Sequence, residues 1–212
     1  MDADQAWTTI AEERRALADL LEGLSADQWD APSLCGEWSV KGVAVHLMVG
    51  PTGSWRSFAS AMLAARGRFE RANVVMVERR LDRPVAEVVA DLREYADSRF
   101  VPPTMDWRAP LSDLLVHRLD ITAPLGIEHG RPLDPWVDVL DFVLSPKARR
   151  GFLGPGLPDL TFAATDLPWT AGDGPRVEGP VEALALAITR RPARLGDLDG
   201  PGRAALEAWA RG

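Results

Sequence analysis

The chain holds three histidines, His46, His117 and His129, and two of them stand where they could bind a metal ion. Asp113 precedes His117 by four residues, so on a helix the carboxylate and the imidazole share one face about one turn apart. His46 follows Val43 by three residues, on or beside the apolar stripe of a second helical segment. Two ligands from one helix and a third from a facing helix is how helical bundles build metal sites in their cores. Two imidazoles and one carboxylate suit Zn²⁺, with Ni²⁺, Fe²⁺ or Mn²⁺ as alternatives. Three protein ligands leave a coordination position open, which fits chemistry better than structural stapling. The plainer alternative makes His46 a hydrogen-bonded core residue and Asp113–His117 a surface pair. Asp120, three residues after His117, either accepts the His117 N–H that faces away from a metal and so fixes the tautomer, or pairs with an arginine on the helix surface. Cys35 has no histidine near it in sequence and no second cysteine, and reads as a buried small hydrophobe rather than a nucleophile. Trp38 reads as a wedge between an entry loop and the helices. His129, in Glu128-His129-Gly130, reads as a loop residue outside the set.

Four amphipathic helices are expected to position these groups. Residues 4–24 carry Trp7, Ile10, Leu17, Leu20, Leu21 and Leu24 at spacings of mostly three and four, with Glu12, Glu13, Arg14 and Glu22 largely on other faces. Residues 25–38 lack helical periodicity. Ser39 is a candidate N-cap for a second helix with Val40, Val43, Leu47 and Gly50 on one stripe. Pro51 and Gly53 interrupt it, so a kink is expected before the helix resumes through Phe58, Met62 and Leu63. Pro84 opens a third helix with Val85, Val88, Val89, Leu92 and Tyr95 inward. Beyond Pro102-Pro103 a fourth runs from near Pro110 to near Gly126. After Pro135 the pattern changes: a helix over 136–150, strand-like segments at 160–165 and 175–178, and helices at 181–188 and 203–210. The expected organisation is a helical domain over 1–132 and a small α+β domain over 133–212.

A net charge of -7 argues against a nucleic-acid partner, because that affinity depends on clustered Lys and Arg. The pairs Arg79-Arg80, Arg149-Arg150 and Arg190-Arg191 lie among acidic neighbours and read mostly as solvated faces. A single cysteine excludes an intramolecular disulfide and a Cys-rich metal site. Met1 to Gln5 has no basic region leading into an apolar one, so no signal peptide is read there. No apolar run approaches the ~18 residues of a membrane span. A cytoplasmic protein without a membrane partner is the expectation.

The segment Leu34-Cys35-Gly36-Glu37-Trp38-Ser39-Val40-Lys41-Gly42-Val43-Ala44-Val45-His46-Leu47 resembles the helix-two signature of the DinB-like superfamily, and more narrowly of its mycothiol-dependent maleylpyruvate isomerase family. Asp113 to Asp120 is similar to that family's fourth helix. Leu160 to Asp166, Trp169 to Pro175, Val177 to Pro180 and Ala183-Leu184 resemble its small C-terminal domain. The resemblance implies an up-down-down-up four-helix bundle followed by a truncated, sterol-carrier-like domain. It also implies a divalent metal on His46, Asp113 and His117, with mycothiol as thiol cosubstrate. The activity implied is an isomerase or a thiol S-transferase acting on a small, acidic substrate, as a monomer or homodimer. Two further readings stand beside it, a metal-dependent hydrolase on the same bundle and a non-catalytic protein that binds a metal or small ligand. The sequence departs from the family pattern where Gly42 replaces a frequent acidic residue, where Asp113 is one methylene shorter than Glu, and where Arg190-Arg191 replaces Gly-Arg. Arg191 is therefore either a solvated residue or an anchor for a substrate carboxylate.

Overall fold

The computed structural model describes residues 1–212 other than Glu37 and His129, and for Phe69, Glu70 and Gly151 the backbone alone. The reading of His129 as a loop residue, and the place of Glu37 in the entry motif, therefore lie outside the described residues. The chain is mostly helical and divides into two compact units, Asp2–Ile121 and Thr122–Gly212, the latter joined by Met1. Among the described residues no helix is long and apolar enough to cross a membrane.

The first unit opens with α1 (Ala3–Glu22), started by a capping box in which Asp2 and Gln5 satisfy each other's backbone N–H groups. Its face of Ala6, Ile10, Leu17 and Leu21 is buried, and α1 packs on α6 (Val85–Glu94). Glu13 and Arg14, expected on other faces, are buried too. Arg14 is held inside because its guanidinium donates to the carbonyls of Ala96 at 2.9 Å and Ser98 at 2.7 Å, closing the chain that leaves α6. Residues 25–38, without helical periodicity, contain one short helix, α2 (Ala26–Asp30). A Ser25/Gln28 capping box starts it, a pattern that was present in the sequence.

Ser39 does cap the next helix, α3 (Val40–Val49), its hydroxyl accepting from the Gly42 N–H at 3.3 Å. The interruption at Pro51 and Gly53 is a full break, and α4 (Trp55–Ala64) begins after its own cap, Ser54. Leu63 and Trp55 on α4 are exposed. The sequence pattern did not mark α5 (Phe69–Glu78), which packs on both α3 and α4. On α6, Val88, Val89 and Leu92 are buried, whereas Val85 and, just past the helix end, Tyr95 are only partly covered. The last helix of the unit, α7 (Arg108–Thr122), begins just before Pro110, which is tolerated in a first turn whose N–H groups have no partner within the helix.

In the second unit, α8 (Pro135–Leu144) and the short α9 (Pro146–Ala148) precede a three-stranded sheet. In that sheet β1 (Thr161–Ala164) lies between β2 (Thr170–Ala171), antiparallel, and β3 (Arg176–Gly179), parallel. Every residue of α10 (Val181–Ile188) is buried, as expected of a helix that is apolar nearly all round. The final α11 (Arg203–Arg211) seats Trp209, whose indole N–H donates to the Ile188 carbonyl at 2.9 Å. Arg190 stacks on that ring at 3.7 Å, so it is not simply a solvated cation.

A candidate metal centre between two helices

On α7 the four-residue spacing puts Asp113 and His117 on one face, and His46 approaches them from α3. The Asp113 Oδ1 atom lies 3.3 Å from His46 Nε2 and 3.4 Å from His117 Nε2. The two imidazoles meet edge to face with centroids 4.8 Å apart, and one donor atom from each of the three residues falls within a 4.8 Å cluster. Donors about 2.0–2.1 Å from one tetrahedral ion stand about 3.3–3.4 Å apart, so the two measured separations suit a shared ion. All three residues belong to the first compact unit.

The side chains differ in depth. His46 and His117 are 13% and 12% exposed, whereas Asp113 is 46% exposed and forms the open side of the cluster. Behind His117 the Asp120 side chain is 0% exposed, and its Oδ2 stands 2.8 Å from His117 Nδ1. A carboxylate only accepts, so Nδ1 carries the hydrogen and Nε2 is the nitrogen turned toward Asp113. His46 has no such tie among the described residues, where its Nδ1 is buried without a hydrogen-bond partner. The tautomer of His117 is thus set by the chain, and that of His46 is left to whatever binds its Nε2.

Without a bound cation, the contacts around Asp113 favour its ionised form and those around His117 favour its protonated form. Desolvation opposes charge on Asp113, but the charge of His46 and the hydrogen bond and charge of His117 outweigh it. Together they keep the carboxyl well below the usual carboxylate range. Burial pulls the His117 imidazole down, while hydrogen bonding and charge from Asp113, then Asp120 and Cys35, lift it well above an ordinary histidine. A divalent cation would displace that proton from Nε2 and find one carboxylate and two imidazole nitrogens already facing it. The donor set fits such an ion.

The sequence reading missed two features of the surroundings. Arg14 is a buried cation that Asp113 acts on electrostatically; desolvation pulls it down to about 10 and the charges of Asp113 and Asp97 oppose that. Cys35, read as a buried hydrophobe apart from the site, is half-buried, and its sulfur clusters with a His117 nitrogen and an Asp120 oxygen within 4.8 Å. Sequence spacing carried no signal for either contact, since both are made between elements distant along the chain. Trp38 lies against His46, with ring centroids 5.0 Å apart. Arg191 lies in the second unit just after α10, where its guanidinium donates to the Thr189 carbonyl.

Residues 10–100 match the family model described as the mycothiol maleylpyruvate isomerase N-terminal domain. That span contains Cys35, Trp38 and His46 and ends before Asp113 and His117. No curated protein and no solved structure matches the chain.

Proposed function

From a chain whose residues 10–100 belong to the mycothiol maleylpyruvate isomerase N-terminal domain family, we propose a divalent-metal-dependent enzyme that uses mycothiol as an isomerase or thiol S-transferase. The observation that carries this reading is the convergence of His46 Nε2, His117 Nε2 and Asp113 Oδ1, with separations of 3.3 Å and 3.4 Å to the shared oxygen. In this reading α1, α3, α6 and α7 form a DinB-like four-helix bundle of the up-down-down-up type, and the second unit is a truncated sterol-carrier-like domain.

His46, Asp113 and His117 hold the ion, with Zn²⁺ the first candidate and Ni²⁺, Fe²⁺ or Mn²⁺ the alternatives. When bound, the ion supplies positive charge at an open coordination position, where it lowers the pKa of an incoming thiol. The protein's own groups do the rest. Asp120 keeps the hydrogen of His117 on Nδ1 and so leaves Nε2 free to coordinate. The exposed side of Asp113 leaves a way in for a small thiol. In the reaction class proposed, a thiolate sulfur would add to an activated double bond, permit rotation about it and leave again, or would displace a leaving group.

The competing hydrolase reading puts water where the thiol would sit. Mass spectrometry for a thiol adduct of an unsaturated acid, run beside assays on generic esters and amides, separates the two. Thiol adducts without ester or amide turnover are expected. Hydrolysis that proceeds without thiol would overturn the proposal.

A further inference from the structure

The loop entering α3 touches both histidines from outside the donor set. Trp38 lies against His46, with ring centroids 5.0 Å apart, and the Cys35 sulfur stands within 4.8 Å of a His117 ring nitrogen and of an Asp120 oxygen. Because His117 Nδ1 is itself a donor, the carboxylate of Asp120 is the acceptor of the two for the Cys35 S–H. Hydrogen bonds of its backbone N–H groups hold the loop in this position. The Cys35 N–H donates to Ser33 Oγ at 3.0 Å, the Trp38 N–H donates to the Cys35 carbonyl at 3.2 Å, and Gly36 turns the chain between them with φ of 59°. The Leu34 N–H donates to the carbonyl of Asp120 at 3.0 Å. That carbonyl is available for a reason written in the sequence. Its helical partner would be the N–H of residue 124, and Pro124 has none. The loop therefore docks where the proline frees an acceptor, and this docking carries the Cys35 sulfur to the Nδ1 side of His117.

We infer that Cys35 is a positioning residue for His117. With Asp120 it holds the imidazole from behind, so that Nε2 stays turned toward His46 and Asp113. The inference rests on the metal-site reading above. It separates Cys35 from a residue that only fills space, because the sulfur meets two polar groups, one of them on the fully buried Asp120. Groups that orient a metal-binding histidine in this way are typically worth about 10–100-fold in metal affinity.

The test compares Co²⁺ and Zn²⁺ affinities of the full chain, by competition with a chromophoric chelator, for wild type, Cys35→Val and Cys35→Ser. The Val side chain keeps the apolar volume and loses the polar hydrogen, whereas Ser does the reverse. A positioning role predicts a loss of about ten-fold or more in Cys35→Val and a partial rescue in Cys35→Ser. It also predicts displaced imidazole ¹⁵N signals for His117 in metal-free Cys35→Val. A role in packing alone predicts the opposite order, with Val close to wild type and Ser weaker. Equal affinities in all three chains, equal losses in both variants, or unchanged His117 signals would each overturn the inference. Wild type without metal affinity would instead remove the reading beneath it. Should Cys35→Val fail to fold, methylthiolation of Cys35 in wild type removes the same S–H. An affinity that this leaves unchanged would also overturn the inference.

Discussion

At Asp113 one carboxylate oxygen faces two imidazole nitrogens, and the cation that neutralises it depends on pH and on metal. In the metal-free chain His117 is raised above the 6.5 of an ordinary histidine. The stability it adds is complete below about 6.5 and is lost as pH rises through its folded value. Asp113 is lowered, so its contribution is present above about 3.8 and is lost as pH falls toward its depressed folded value. Metal uptake must expel the His117 proton. Metal affinity is therefore expected to rise with pH through the neutral range while metal-free stability falls, and calorimetric titrations in buffers of different ionisation enthalpy should show proton release. A pH-independent affinity without proton release would contradict this account of His117. Replacing His46, Asp113 or His117 by Ala is expected to abolish stoichiometric metal binding in a protein that stays helical, and elemental analysis of the purified variants checks it. Asp113→Glu is expected to keep metal, since the longer carboxylate requires a shift of only about one methylene, and loss of metal there would mark a pocket fitted to Asp.

The elements carry these residues with different degrees of visibility in the sequence. The four-residue interval between Asp113 and His117 needs only a helix to become one face, and α7 is that helix. The apolar stripe around Val43 likewise located His46 on α3. The Asp120 contact behind His117 was legible in the three-residue spacing, whereas those of Cys35 and Trp38 were not, because they come from a loop whose docking depends on an acceptor freed at Asp120. Arg14 was misassigned for a related reason: its carbonyl partners, at Ala96 and Ser98, lie more than eighty residues along the chain. Gly42 gains a physical account at this scale. A Cβ there would stand 3.0 Å from Trp38 Cβ and 3.3 Å from its Cγ, and Trp38 in turn leans on His46. A glycine inside a helix costs about 1 kcal/mol relative to alanine, which the close approach of Trp38 explains. Gly42→Val should overpack this contact and destabilise the protein by about 1–3 kcal/mol, with a lowered midpoint in chemical denaturation and an altered Co²⁺ spectrum. An unchanged midpoint and spectrum would mean that Trp38 can retreat without disturbing His46.

Across the whole molecule the donor residues, Asp120 and Cys35 all fall in the unit Asp2–Ile121. That unit has its own buried faces on α1, α3, α6 and α7. A chain of residues 1–132 is therefore expected to unfold cooperatively and to bind metal with the stoichiometry of the full protein. A molten product, judged by near-ultraviolet circular dichroism, would show that the two units share stabilisation. The short sheet of the second unit was legible only in part: β1 and β3 carried strand-like residues, whereas β2 is two residues long and is defined by its pairing with β1. The central claim, that His46, Asp113 and His117 hold an ion open to a thiol, meets its most direct test in the Co²⁺-substituted full chain titrated with mycothiol. The donor set contains no sulfur, so a thiol entering the open position should add an intense near-ultraviolet charge-transfer band. The account predicts a band that saturates near one equivalent of thiol and is absent in His117→Ala, whereas a cobalt spectrum unchanged by millimolar mycothiol in the fully metallated protein would contradict it.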